Sequence, residues 1–84
     1  MLHLIAQADQ MAQLLAASRR QAGLTQTEAA ARIGVSQSRV SSLETDASAL
    51  TLAQLLALCG AYGLQLQMLD KNQPVAEPAP IIEW

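Results

Sequence analysis

The stretch TQTEAAARIGVSQSRVSSLE, from Thr25 to Glu44, constrains the fold more than any other part of the chain. Thr25 and Glu28 form a T-x-x-E capping box, so a helix starts just after Thr25. Ala29, Ala30 and Ile33 give that helix an apolar stripe. Gly34 ends it, because the left-handed backbone that closes a helix is cheap only for glycine. Val35 plugs inward and Ser36 caps a second helix. The second helix carries Val40 and Leu43 on its inner side, with Gln37, Ser38, Ser41 and Ser42 outside. Ala30 is small where the two helices must cross closely.

Two short helices joined by such a turn make a helix-turn-helix, whose second helix can enter a DNA major groove. A plain helical hairpin in a small bundle would explain the apolar positions equally well. It would not explain the outward face, which is almost wholly short hydrogen-bonding side chains. An ordinary surface helix carries more Glu and Lys, which are better helix formers. Gln37 opens the second helix, where a side-chain amide can pair with adenine N6 and N7. Ser38 and Ser41 share its face and can reach bases or phosphates. Ser36 and Gln26, at the two helix starts, are placed for phosphate contacts, aided by helix N-terminal N–H groups. Arg39 can reach either a base or the backbone, and the sequence does not choose between them.

The segment LTQTEAAARIGVSQSRVSSLE resembles the helix-turn-helix of the Cro/CI-type repressor family, and the likeness covers about Met11 to Tyr62. Within that family the chain is most similar to the HipB-type antitoxins. That narrower likeness rests on the short N-terminal lead, the segment LQLQMLD and the pair Glu83-Trp84. The resemblance implies an all-α, lambda-repressor-like bundle and a homodimer held partly by a C-terminal strand. It also implies a largely buried pair between Arg19 and Glu44, autorepression of a shared operon, and a partner like the HipA serine/threonine-kinase toxin. In such antitoxins the terminal Trp enters a pocket on the kinase. One departure stands out: Ser36 occupies a position where the HipB type of antitoxin carries lysine.

Composition sets the bounds. The 84 residues allow one domain with a small core. Hydrophobic residues make up 51% with no Phe, so Leu, Ala, Ile, Val and Met must build that core, which suits helices. Charged residues are only 14%, against roughly a quarter in ordinary soluble domains. A dimer or bound partner is the simplest use for the surplus apolar surface. Net charge is −2, but Arg19, Arg20, Arg32 and Arg39 fall together while Asp46, Asp70, Glu77 and Glu83 come later. A basic half with an acidic tail fits a DNA binder with a separate protein contact. Four arginines are a weak footprint, so two copies on a palindromic site are expected. No signal peptide or membrane span is expected, which points to the cytoplasm and the nucleoid. The lone Cys59 reads as reduced core.

Along the chain, residues 1–8 read as an N-terminal arm and 9–63 as the helix-turn-helix domain. The first helix runs from Asp9 to Gln21, with Met11, Leu14, Leu15, Ser18 and Ala22 on its inner face. Thr51 and Gln54 form a second capping box, and Leu52, Leu55, Leu56, Cys59 and Tyr62 are the expected buried stripe of the last helix. Gly60 suggests a close packing contact there. Residues 64–70 alternate, with Leu64, Leu66 and Met68 on one face and Gln65 and Gln67 on the other. Period two means a strand, pairing with Leu2–Ile5 or, as the resemblance implies, with its twin across a dimer axis. Residues 71–84 hold Pro74, Pro78 and Pro80 and read as a disordered tail. Its apolar end, Ile81, Ile82 and Trp84, is the expected partner-binding element.

An enzyme is excluded on chemistry. One His, one Cys, no paired carboxylates, no Gly-rich phosphate loop and no metal spacing leave nothing to form an active site, and no cofactor is implied. Two other readings compete with a DNA-binding antitoxin. One is a helical interaction module that never meets DNA. The other is a stand-alone phage-type or stress-response repressor without a toxin, for which a terminal Trp has no evident use.

Overall fold

The structure, a computed structural model, describes residues 2–72. Four α-helices follow in order: α1 (Ala8–Gln21), α2 (Gln26–Ile33), α3 (Gln37–Thr45) and α4 (Leu52–Tyr62). One 3-10 turn, Ala47–Ala49, joins α3 to α4. Helix α2 packs on α3, α1 crosses α3 and the 3-10 turn, and α4 closes the bundle against α2 and α1. The all-helical bundle with a helix-turn-helix is thus the observed fold.

Each boundary has a local cause. At α2 the Thr25 hydroxyl accepts the Glu28 backbone N–H at 3.1 Å, and Glu28 returns to the Thr25 N–H at 2.9 Å. Gly34 sits at φ 73° and ψ 31°, which frees Val35 to donate back to the Ala30 carbonyl at 3.0 Å. At α4 the Thr51–Gln54 box is formed as the spacing requires. One box was not evident from sequence. Gln7 and Gln10 form it at the start of α1, where the Gln10 amide oxygen accepts from both Ala6 and Gln7 N–H groups.

Leu15, Val40, Leu43 and Leu58 are essentially fully buried, and Ala29 and Ala30 lie beneath them where α2 is crossed. Burying each such Leu or Val side chain contributes about 1.5–3 kcal/mol. Ala29 and Ala30 are buried where α2 packs, and a larger side chain there would push the helices apart.

Three expectations are corrected. Leu52 and Leu56 are not in the buried stripe of α4; they are 65% and 51% exposed, and Leu58 faces the core beside Cys59 and Tyr62, which are buried as expected. Helix α4 is apolar nearly all round, so periodicity alone could not select its inner face. Gly60 is exposed, and a Cβ added there would meet nothing within 4 Å, so no close contact explains it. Ala22, placed on the inner face of α1, is exposed because α1 ends at Gln21.

Gly63, at φ 74°, turns the chain out of α4, and Leu64 donates back to the Cys59 carbonyl at 2.8 Å. Beyond it, residues 65–70 are exposed, and no strand occurs among the described residues. The N-terminal segment and residues 67–71 flank a shared shallow cleft lined by Leu2, Leu4, Ile5, Met68 and Leu69. Ile81, Ile82 and Trp84 lie outside the described residues.

Candidate nucleic-acid interface

The candidate surface is the N-terminal end of α3 with the start of α2 beside it. Both helices begin with a glutamine directly after the capping residue: Gln26 after Thr25, Gln37 after Ser36. Because α2 packs closely on α3, the two amides meet. Gln37 Nε2 donates to Gln26 Oε1 at 2.6 Å. Gln26 Nε2 in turn donates to Glu44 Oε1 at 3.1 Å.

Glu44 is held from the other side by Arg19. The guanidinium donates through Nε to Oε2 at 2.7 Å and through Nη2 to Oε1 at 3.1 Å. Its Nη1 donates to the Leu24 carbonyl at 2.8 Å. The two side chains are only 11% and 9% exposed. One planar fork therefore ties the end of α1, the loop before α2 and the end of α3 together. The hydrogen bond to Glu44 raises the Arg19 pKa, and the attraction of that carboxylate outlasts the opposing effect of burial. The pair implied by the family resemblance is therefore present, and Arg19 has no role at the outer surface.

The remaining side chains divide by what already occupies them. Ser36 Oγ accepts the Arg39 backbone N–H at 3.1 Å, so it is the α3 cap, and it also touches Ser38 Oγ at 3.2 Å. Ser38 and Gln37 are exposed, whereas Ser41 is half-buried. Arg39 turns away from the helix start. Its Nη2 donates to the Ala49 carbonyl at 2.9 Å and to Gln54 Oε1 at 3.0 Å. Gln54 is also the capping-box residue of α4, so Arg39 links the reading helix to the first turn of α4. Sequence reasoning missed both connections. The signal for the amide pair was present, since Gln26 and Gln37 hold the same place after each cap; the reach of Arg39 depends on the 3-10 turn and left no mark in the sequence.

Arg20 and Arg32 are exposed, so only part of the arginine cluster faces solvent. Burial raises the Cys59 thiol pKa, which keeps it protonated and a poor nucleophile. No helix among the described residues is long and apolar enough to cross a membrane.

A helix-turn-helix whose second helix presents an amide and hydroxyls at its N-terminal end is the form of a sequence-reading DNA-binding domain. The comparisons with known proteins agree: the helix-turn-helix domain family matches residues 10–71, and the chain belongs to it. Among solved structures it is similar to a HipB variant in complex with an O2 20mer, at 26% identity and a TM-score of 0.75, covering 86% of this chain and all of that one. It is equally similar to a chain of the HipA–HipB–O2–O3 complex, at 27% identity and TM-score 0.75, covering 84% of this chain and 100% of the other. A HipB–O4 20mer complex aligns at 27% identity with a TM-score of 0.74, over 84% of this chain and 100% of that one. No curated protein sequence matches the chain.

Proposed function

We propose that this chain is a dimeric, DNA-binding repressor that acts as the antitoxin of a HipA-like serine/threonine-kinase toxin and represses its own operon. The observation that carries this reading is the pinned, exposed Gln37 at the start of α3, in a fold that matches the full length of a chain in a HipB–20mer complex and of a chain in a HipA–HipB–O2–O3 complex. A helical module with no DNA partner would have no need for a side-chain amide held in a fixed pose at a helix start.

In this reading Gln37 pairs with adenine, and Ser38 and Ser41 complete the base and phosphate contacts. Gln26 and Ser36 lie where the DNA backbone passes the two helix starts. Arg39 contributes the N–H groups not committed to Ala49 and Gln54. Residues 1–8 form the arm, 9–63 the DNA-binding domain, 64–70 the dimerisation strand and 71–84 the partner-binding tail. Leu66 and Leu69 are 44% and 54% exposed and Met68 is 92% exposed, which leaves an apolar segment for its twin to cover. Ladder formation across the two-fold axis satisfies backbone groups that one chain leaves unpaired. A repressor of this kind works at the nucleoid in the cytoplasm.

The tail supplies the toxin contact. Trp84 flanked by Ile81 and Ile82 is an aromatic anchor of the type that dominates interfaces. The test is to co-express the chain with the kinase-like neighbour of its gene and compare it with a variant lacking Ile81–Trp84. Retained operator binding with weakened kinase binding is expected. A truncated protein that still holds the kinase as tightly would refute the tail's role, and the absence of any kinase-like neighbour would favour a stand-alone repressor. Leu66→Pro should weaken the dimer in sedimentation; an unchanged dimer would remove the strand from the interface.

A further inference from the structure

We infer that Glu44, which lies behind the reading surface, decides which base Gln37 prefers, by fixing the orientation of two side-chain amides in series. The inference rests on the reading of Gln37 as a base contact.

Side-chain amides are ambiguous partners, with a donor at one end and an acceptor at the other. A carboxylate clamped by a guanidinium is not ambiguous: it only accepts. Glu44 Oε1 takes Arg19 Nη2 at 3.1 Å and still accepts from Gln26 at 3.1 Å. Gln26 must therefore turn its Nε2 inward, which places its Oε1 outward against Gln37. Facing an acceptor at 2.6 Å, Gln37 must offer Nε2. One Nε2 hydrogen is spent on this bond. The second Nε2 hydrogen and the whole of Oε1 remain for DNA.

One donor beside one acceptor is the complement of adenine, whose major-groove edge offers the N7 acceptor and the N6 amino donor. Guanine offers two acceptors, N7 and O6. To match guanine, Gln37 would have to turn its Oε1 toward Gln26 and present both Nε2 hydrogens outward. That needs a donor from Gln26, and so a donor to Gln26's other end at position 44. The negative charge of Glu44 forbids it. Arg19 takes part as well, since its fork holds the carboxylate in place at 2.7 Å. Glu44 is thus a positioning residue for specificity: it touches no base and sets the hydrogen-bonding register of one that does.

The test is the ratio of affinities for operators carrying A·T or G·C at the Gln37 base pair, measured by anisotropy at fixed salt. Glu44→Gln removes the obligatory acceptor, because its amide can turn an N–H as well as an oxygen toward Gln26. It should lower the A·T preference by about fivefold or more, the lower end of one bidentate contact. In a Gln26→Met background the same Glu44→Gln change should leave the ratio unmoved, because the relay is already cut. Gln26→Met alone should also reduce the preference. That variant keeps the Arg19–Glu44 pair, so the relay remains testable even where Glu44→Gln fails to fold. Gln37→Ala separates the two levels. If it leaves base preference unchanged, the reading of Gln37 itself fails. If it abolishes preference while Glu44→Gln and Gln26→Met weaken all operators equally, Gln37 reads the base but the relay is overturned.

Discussion

Replacing Arg19 with Met should be among the most damaging single changes in the domain. The Met side chain keeps much of the apolar stem of Arg19. It deletes the bonds to Glu44 at 2.7 and 3.1 Å and to the Leu24 carbonyl at 2.8 Å. Glu44 is then left nearly buried without its counter-charge, at 9% side-chain exposure. An exposed ion pair is worth about 0–1 kcal/mol, whereas leaving one partner of a buried pair alone costs about 3–5 kcal/mol. Even the lower figure is a large share of the roughly 5–15 kcal/mol that holds a small domain together. At about 4–8 °C per kcal/mol for a domain of this size, a 3 kcal/mol loss lowers Tm by about 12–24 °C. The assay is urea unfolding at one fixed protein concentration, because the apparent stability of the proposed dimer would depend on concentration. The cycle is completed with Glu44→Met and the double variant. The double variant should regain much of the loss, since two apolar side chains leave no orphaned charge. A loss below about 1 kcal/mol for Arg19→Met would refute the argument, because the pair would then behave as a solvated one.

Three further outcomes follow from the geometry. Gly34→Ala should cost about 1–2 kcal/mol from the left-handed backbone alone; at φ 73° the added Cβ meets nothing within 4 Å, so a neutral result in urea unfolding would mean the turn relaxes freely. Arg39→Ala removes the bonds to Ala49 and Gln54 and should lower stability by about 1–3 kcal/mol. It should also weaken binding to all operator variants alike, and a loss confined to one base pair would instead make Arg39 a base reader. Backbone N–H groups of Thr25 and Ser48 hold the Glu28 and Asp46 carboxyls below their ordinary pKa values. Depressed native values mean that this stabilisation is complete above the ordinary carboxylate range and is lost as pH falls through the lowered values. Unfolding midpoints of a Glu28→Gln, Asp46→Asn variant should therefore show a shallower acid limb than the parent, and an identical limb would contradict the assignment.

The helix-turn-helix was legible because its signals are local. A capping box at Thr25, a left-handed Gly34 and a cap at Ser36 each act within a few residues, and the structure has all three. The inner face of α4 was not legible. Leu52, Leu55, Leu56 and Leu58 are equally apolar, and only packing on α1 and α2 decides that Leu58 is inside and Leu52 outside. The site divides the same way. Gln37 stands out as the first residue of the second helix, but its tie to Glu44 through Gln26 joins residues from two helices. Arg39 carries a charge on a reading helix, and only the path of the chain between α3 and α4 shows that Ala49 and Gln54 occupy it.

The central claim is that this domain reads DNA through Gln37. The most direct measurement is a titration of the full chain against duplex from just upstream of its own gene, beside a scrambled duplex at the same salt. The account predicts a palindromic site bound about a thousandfold or more above the scrambled control. It further predicts that Gln37→Ala loses about 1–3 kcal/mol on the natural site and much less on the scrambled one. Equal binding of the parent protein to both duplexes, or a Gln37→Ala variant with unchanged affinity and selectivity, would contradict it.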